Sequence, residues 1–202
     1  MILQSLVSYY EALAAKGEIP RFGWASQKVS YGLEINEQGD LLACYPLHKE
    51  VEKGKKKVLV PREMETPAGF VRTVGICANF MCDNAKYFLG VDTKKPQRGP
   101  LCRAEAAKRH MDILKSASSP AAKAVCAFFA KETDENIRSN PVFSDAGDDL
   151  WETANLIFLF DGVPAHQDEQ IIAAWNRFYG SSAGESDDGN KSSAYTMRCL
   201  LT

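Results

Sequence analysis

The sequence predicts an α+β domain, a curled, mainly antiparallel sheet with peripheral helices. Three observations predict it. Residues 28–35, KVSYGLEI, alternate Val29, Tyr31, Leu33 and Ile35 on one side, and the turn residues NEQGD pass the chain straight into a second apolar run, LLACYPL. Residues 154–162, ANLIFLFDG, form a continuous apolar run closed by Asp-Gly, the pattern of a strand covered on both faces. Several other segments keep helical rather than two-residue periodicity.

Taken in order, Ile2, Leu3, Leu6, Val7, Tyr10 and Leu13 recur at helical spacing, which predicts an opening amphipathic helix ended by Gly17 and Pro20 and covering a sheet. The hairpin of residues 28–47 follows, its second strand ending near Pro46. A third short strand, Val58–Val60, is preceded by EVEKGKKK and stopped by Pro61, so Lys53, Lys55, Lys56 and Lys57 crowd a glycine-containing loop.

Residues 69–91, GFVRTVGICANFMCDNAKYFLGV, are the densest mixture of apolar anchors and polar groups in the chain. Val71, Val74, Ile76, Phe80, Tyr87, Phe88 and Leu89 fix the segment to a core and leave Arg72, Asn79, Asp83 and Asn84 for polar work. Asp83 or Asn84 caps a short helix through Leu89 that Gly90 stops. Read only as turn and cap formers, the same Asn and Asp residues carry no function.

The basic turn KKPQRGP feeds a helix from about Leu101 to Lys115, with Leu101, Ala104, Met111 and Leu114 as its buried stripe and Arg103, Lys108 and Arg109 outward. Ser119-Pro120 starts a second helix that carries Val125, Phe128 and Phe129 inward. Residues 133–149 are polar and turn-rich. After the ANLIFLF strand, His166 and Asp168 introduce a helix in which Ile171, Ile172, Trp175, Phe178 and Tyr179 keep helical spacing up to Gly180. An acidic loop at 180–193 and a final apolar strand, AYTMRCLLT, complete the chain. A strand that stays apolar to its last residue predicts an N-terminal domain, residues 1–202, of a longer protein.

Composition narrows the function. With 202 residues, 45% of them hydrophobic, the chain suits one domain with a real core. It has no apolar run near the ~18 residues of a membrane span and no signal-peptide pattern, which predicts a cytoplasmic protein without membrane association. The six scattered cysteines read as reduced, mostly buried thiols, and no metal or cofactor is expected. The formal charge of -2 hides an asymmetry: residues 1–110 hold 17 Lys and Arg against 12 acids, and residues 111–202 hold 7 against 14. A basic N-terminal half suits a polyanion.

The familiar sequence routes to an enzyme are missing: G-x-G-x-x-G, G-x-x-x-x-G-K-[ST], G-x-S-x-G and H-E-x-x-H. His166 with Asp168 nearby is the least implausible general base, and a helix-entry role explains both residues better. No catalysis is expected. The Lys loop, with Arg62 and Arg72 just downstream, is suited to following a phosphate backbone, its bland alternative being a solvated loop that protects a sheet edge. An Asn amide offers a donor and an acceptor to a base edge. Asn79 is the expected base reader rather than Asn84, because Asn84 sits where a helix starts and its side chain is expected to cap it. A Lys loop beside an Asn-bearing wedge describes a reader of duplex DNA.

MILQSLVSYYEAL, KVSYGLEI, LVPRE, RTVGICANFMCDNAKYFLGV and ANLIFLFDGVPAHQDEQIIAAW resemble the large subunit of type I-C CRISPR surveillance complexes (Cascade), over essentially the whole chain. The terminal MRCLLT resembles the point where that family's chain continues. The resemblance implies a non-enzymatic domain that recognises the protospacer-adjacent motif on target double-stranded DNA and helps open the duplex for antiviral defence. It also implies partners: guide RNA and other Cascade subunits, a helicase-nuclease recruited by the assembly, and, on the same surface, an acidic anti-CRISPR inhibitor. The pattern R-x-x-G-I-x-x-N-x-x-x-D-N places Arg72, Gly75, Ile76, Asn79, Asp83 and Asn84 in the family's central motif, and Lys53, Lys55, Lys56 and Lys57 in its basic loop. A scaffold that docks on the guide RNA 5′ handle without reading DNA sequence is the alternative.

Overall fold

The computed structural model of the chain describes residues 2–17, 19–54, 56–70, 72, 75–132 and 136–184. The expected strand AYTMRCLLT, most of the acidic loop, Lys55, Val71 and Val74 lie outside them. The architecture is α+β, with two sheets and no closed barrel. One sheet orders β3 (Leu41–Pro46), β2 (Tyr31–Ile35), β7 (Asn155–Phe160) and β6 (Cys82–Asn84), with β8 (Val163–Pro164) also on β7. Its pairings are antiparallel except β2 with β7, which run parallel. The other sheet orders β1 (Trp24–Val29), β5 (Lys56–Pro67) and β4 (His48–Lys53), all antiparallel.

The single strand expected at KVSYGLEI is two strands in two sheets. Ser30 is the crossing point, its N–H on the Asn155 carbonyl at 2.9 Å and its carbonyl taking the Leu47 N–H at 2.7 Å. Side-chain alternation continues through such a crossing, so the pattern cannot reveal it. β7 is buried on both faces, as its apolar run predicts. Leu156 and Phe158 face the main core, and Ile157 and Leu159 face a second cluster with Val29 and Cys82.

Four helices build the main core: α2 (Ala85–Phe88), α3 (Gly99–Leu114), α4 (Pro120–Ala130) and α5 (Glu169–Gly184). Phe88 stacks on Phe158 with centroids 4.4 Å apart, and Phe80 on Trp175 at 5.3 Å. Such offset pairs add to plain area burial. The starts of α4 and α5 are tied together: Ser119 Oγ accepts the Ala122 N–H and donates to Asp168, whose carboxylate takes the N–H groups of Gln170 and Ile171. Gly39, at φ +71, lets the β2–β3 turn press on α4, because a Cβ there would stand 2.2 Å from the Phe128 backbone nitrogen.

Three helical expectations are corrected. The opening helix, α1 (Ile2–Ala15), is not packed tightly on a sheet: Ile2, Leu6 and Tyr10 are 81%, 58% and 46% exposed, and Leu6, Tyr10 and Leu13 line a cavity with Trp24, Ala25 and Ser26 of β1. The two faces of the central sheet are already covered by α2–α5 and by β1 with β5. On α3 the buried stripe is Cys102, Arg103, Ala106, His110, Ile113 and Leu114, with Leu101, Ala104 and Met111 exposed. Arg103 and His110, which have internal hydrogen-bond partners, join the stripe, and of the expected residues Leu114 stays in it. α5 passes through Gly180 into the expected loop; Gly180 has open space around it. Among the described residues no helix is long and apolar enough to cross a membrane.

Candidate functional site

The Lys-rich segment is the tip of a β-ribbon rather than a loop. β4 and β5 pair from His48–Pro61 to Lys53–Lys56 around Gly54, whose φ of +67 suits the turn. The strand expected to stop at Pro61 continues to Pro67, because β5 changes partners there: β4 pairs with it up to Pro61 and β1 from Arg62 onward. A proline at that hand-over breaks no continuous ladder. From Lys49 to Leu59 both faces of the ribbon are open to solvent.

Directly paired residues share a face, which divides the ribbon chemically. One face carries Glu50, Glu52, Lys57 and Leu59, and there Lys57 is paired with Glu50 at 3.0 Å. The other carries Lys49, Lys53 and Lys56 around Val51, Val58 and Val60, with no acid, and Arg62 continues it two residues beyond Val60. Four cations therefore line one side. Lys49 was missed in the sequence although its signal is there: HKEVEK alternates Lys49, Val51 and Lys53 against Glu50 and Glu52.

The central motif turns inward. Asp83, 1% exposed on β6, accepts from Arg72 Nη2, from the Asn79 N–H at 2.7 Å and from the Asn84 N–H at 2.8 Å. Arg72 also donates Nε–H to the Cys77 carbonyl, and its guanidinium lies 4.0 Å over the Tyr87 ring. Burial raises the Asp83 pKa, with Arg72 and the two N–H groups pulling against it. The charged pair is the brace that holds Arg72 and residues 77–79 against β6 and α2.

The premise that separated the two asparagines is reversed. Asn84 occupies the N-cap position of α2, but its side chain makes no capping bond, and its Oδ1 is buried without a partner. Asn79 is the engaged amide, its Oδ1 taking the Phe70 N–H at 2.9 Å. Gly69 permits that closeness, since a Cβ there would stand 2.8 Å from Asn79 Nδ2. Helix position alone did not reveal which amide the turn would use.

Two arginines expected to point outward from α3 are drawn in. Arg103 is buried and donates to the carbonyls of Phe88, Phe128 and Lys131, closing the C-terminal end of α4. Burial pushes its pKa down to about 10. Arg109 Nε and Nη2 are buried with no acceptor. His166 is buried, and Asp168 is engaged at the start of α5 and with Ser119, so the two do not form a base and its orienting acid. Cys44 and Cys82 are buried free thiols pushed up to about 12 by burial, unlike reactive cysteines.

Comparison with known proteins adds one match. Residues 6–202 fit the family model described as CRISPR-associated protein (Cas_Csd1). No curated protein matches the chain.

Proposed function

The chain belongs to the Cas_Csd1 family of CRISPR-associated proteins, large subunits of Cascade, and we propose that in the complex it binds duplex DNA and recognises the protospacer-adjacent motif without catalysing a reaction. The observation that carries this reading is the acid-free face of the ribbon. Lys49, Lys53, Lys56 and Arg62 stand on one side of an exposed two-stranded projection, where cations can neutralise a phosphate backbone. On this reading guide RNA, the neighbouring subunits and the recruited helicase-nuclease meet other surfaces, and an acidic anti-CRISPR inhibitor competes for the ribbon. The inward bonds of Arg72 favour a scaffolding role for that residue and leave the DNA backbone to the ribbon.

In the assembled complex, replacing Lys49, Lys53 and Lys56 with Ala is expected to weaken target and non-target duplexes alike. The slope of log affinity against log salt falls by up to ~0.9 for each phosphate that is no longer neutralised. Lys57→Ala, which removes a cation already paired with Glu50, moves the slope less. A triple variant with the wild-type slope would remove the ribbon from the DNA interface.

Sequence reading is assigned to Asn79, a half-buried residue whose carbonyl holds Phe70 and whose amide N–H donors are the group assigned to a base edge. Asn79→Asp keeps an acceptor for the Phe70 N–H and deletes the donor. Discrimination between the correct and a scrambled adjacent motif is expected to fall by ~1–3 kcal/mol, about five- to 150-fold, with unfolding temperature as the control. Unaltered discrimination in Asn79→Asp together with its loss in Asn84→Ala would move the base reader to Asn84.

A further inference from the structure

α3 draws two guanidinium groups inward, and they are in opposite states: Arg103 is buried, and Arg109 is half-buried. Arg103 has three backbone carbonyls for its donors. Arg109, six residues on, has its guanidinium between two rings, 4.4 Å from the centroid of Phe70 and 5.4 Å from that of Phe178. Its Nε and Nη2 are shut off from solvent and meet no acceptor, and no carboxylate forms an ion pair with it among the described residues. An unmatched buried charge is unfavourable, and natural folds pair such groups. Glu105, one turn back on α3, acts on Arg109 without forming an ion pair with it, and Asp83 is already bonded to Arg72.

We propose that Arg109 is the inner anchor of an anion site beneath Phe70 that takes a phosphate group of a nucleic-acid strand. Three features select phosphate. Nε and Nη2 of Arg109 form one fork with both donors open, which an oxyanion accepts in bidentate fashion, and Arg72 adds positive charge nearby. Arg98 reaches the same segment, its Nη2 on the Gly75 carbonyl at 2.7 Å. Phe70, Phe178 and Tyr87 surround the cations with ring faces, the lining that suits a nucleotide. Both rings that sandwich Arg109 are half-buried, so an anion reaches Nε and Nη2 by displacing one of them. The site does not involve the ribbon, so neither reading depends on the other.

The test is thermal unfolding of the chain in inorganic phosphate and in chloride at matched ionic strength. Wild type is expected to gain about 5–10 °C when phosphate stands ~100-fold above its Kd. Arg109→Met keeps the apolar sandwich and removes the unmatched charge, so it is expected to melt higher than wild type in chloride and to lack the phosphate-specific gain. The Lys49, Lys53 and Lys56 triple variant keeps that gain, which separates this site from the ribbon. On wild-type protein, one slowly exchanging arginine Nε–H resonance is expected to shift on phosphate titration, a readout that does not depend on a variant folding. Single-stranded RNA and duplex DNA of equal length then tell which strand supplies the phosphate, by which of them Arg109→Met weakens. Equal phosphate gains in wild type and Arg109→Met, or no Nε–H shift, would overturn the proposal. So would an acidic peptide that matches phosphate, since it assigns the site to a protein carboxylate.

Discussion

Arg72→Met is expected to reduce folding stability by about 3–5 kcal/mol, the penalty typical of removing one partner from a buried ion pair. The cause is the carboxylate left behind. Asp83 is 1% exposed, and without Arg72 it keeps only the N–H groups of Asn79 and Asn84. The variant also gives up the stacking of Arg72 on Tyr87 and its bond to the Cys77 carbonyl, so residues 77–79 loosen along with the charge. Two controls isolate the charge. Asp83→Asn in the Arg72→Met background removes the stranded carboxylate and is expected to recover part of the loss, a positive coupling in the double-mutant cycle. Acid recovers it too. The folded Asp83 pKa is already raised by burial and rises further without Arg72, so the difference between variant and wild type shrinks as pH falls through that pKa. A penalty below about 1 kcal/mol from urea unfolding, unchanged between neutral and acid pH, would mean that the pair is not a structural brace.

How far the sequence led depended on which interactions have a one-dimensional signature. β7 was legible because a strand buried on both faces must be apolar at every position, and Leu156, Ile157, Phe158 and Leu159 are. The starts of α4 and α5 were legible through Ser119-Pro120 and Asp168, since capping is local. The sheet change at Ser30 was not legible, because alternation has the same period in either sheet. Nor was the burial of Arg103, which depends on carbonyls 15, 25 and 28 residues away becoming available at one place.

The candidate site divides along the same line. Lys53, Lys56 and Lys57 were found by their density, yet density treats them as equivalent. The register does not: Lys57 faces Glu50, whereas Lys53 and Lys56 join Lys49 on the side without acids. Arg72, Asn79 and Asp83 were likewise visible as a polar cluster, and only geometry shows that Arg72 is held by Asp83 and that Asn79 gives its carbonyl to Phe70. A local pattern names the residues that matter; long-range pairing decides which of them face inward.

Acid is expected to unfold the domain through two buried histidines. His110 is fully buried, its Nδ1–H on the Ala106 carbonyl at 2.7 Å and its Nε2 accepting the Met81 N–H at 3.0 Å, an arrangement that requires the neutral ring. Burial pushes its pKa down to about 3. His166 is 1% exposed with neither ring nitrogen in a well-formed bond, and burial pushes it down to about 4, the nearby Glu65 carbonyl opposing only in part. The unfolded chain binds these two protons near the ordinary histidine pKa of ~6.5, so below that pH it holds more protons than the folded form. Stability is therefore intact above about pH 6.5 and falls as pH decreases towards 4. Near pH 5, with both rings charged only in the unfolded chain, the slope approaches ~2.7 kcal/mol per pH unit. Across the window the loss is on the order of 6 kcal/mol, comparable to the whole stability of an ordinary domain. Asp83, whose raised pKa favours the folded form as pH drops, offsets a fraction of it. Urea unfolding at about pH 7.5, 6 and 5 reads the slope, and ring-proton NMR reads the cause, since both buried imidazoles are expected to keep neutral shifts down to about pH 4.5. Either ring titrating near ~6.5 in the folded protein would remove it from this account, and both doing so would leave the domain's acid stability to its carboxylates.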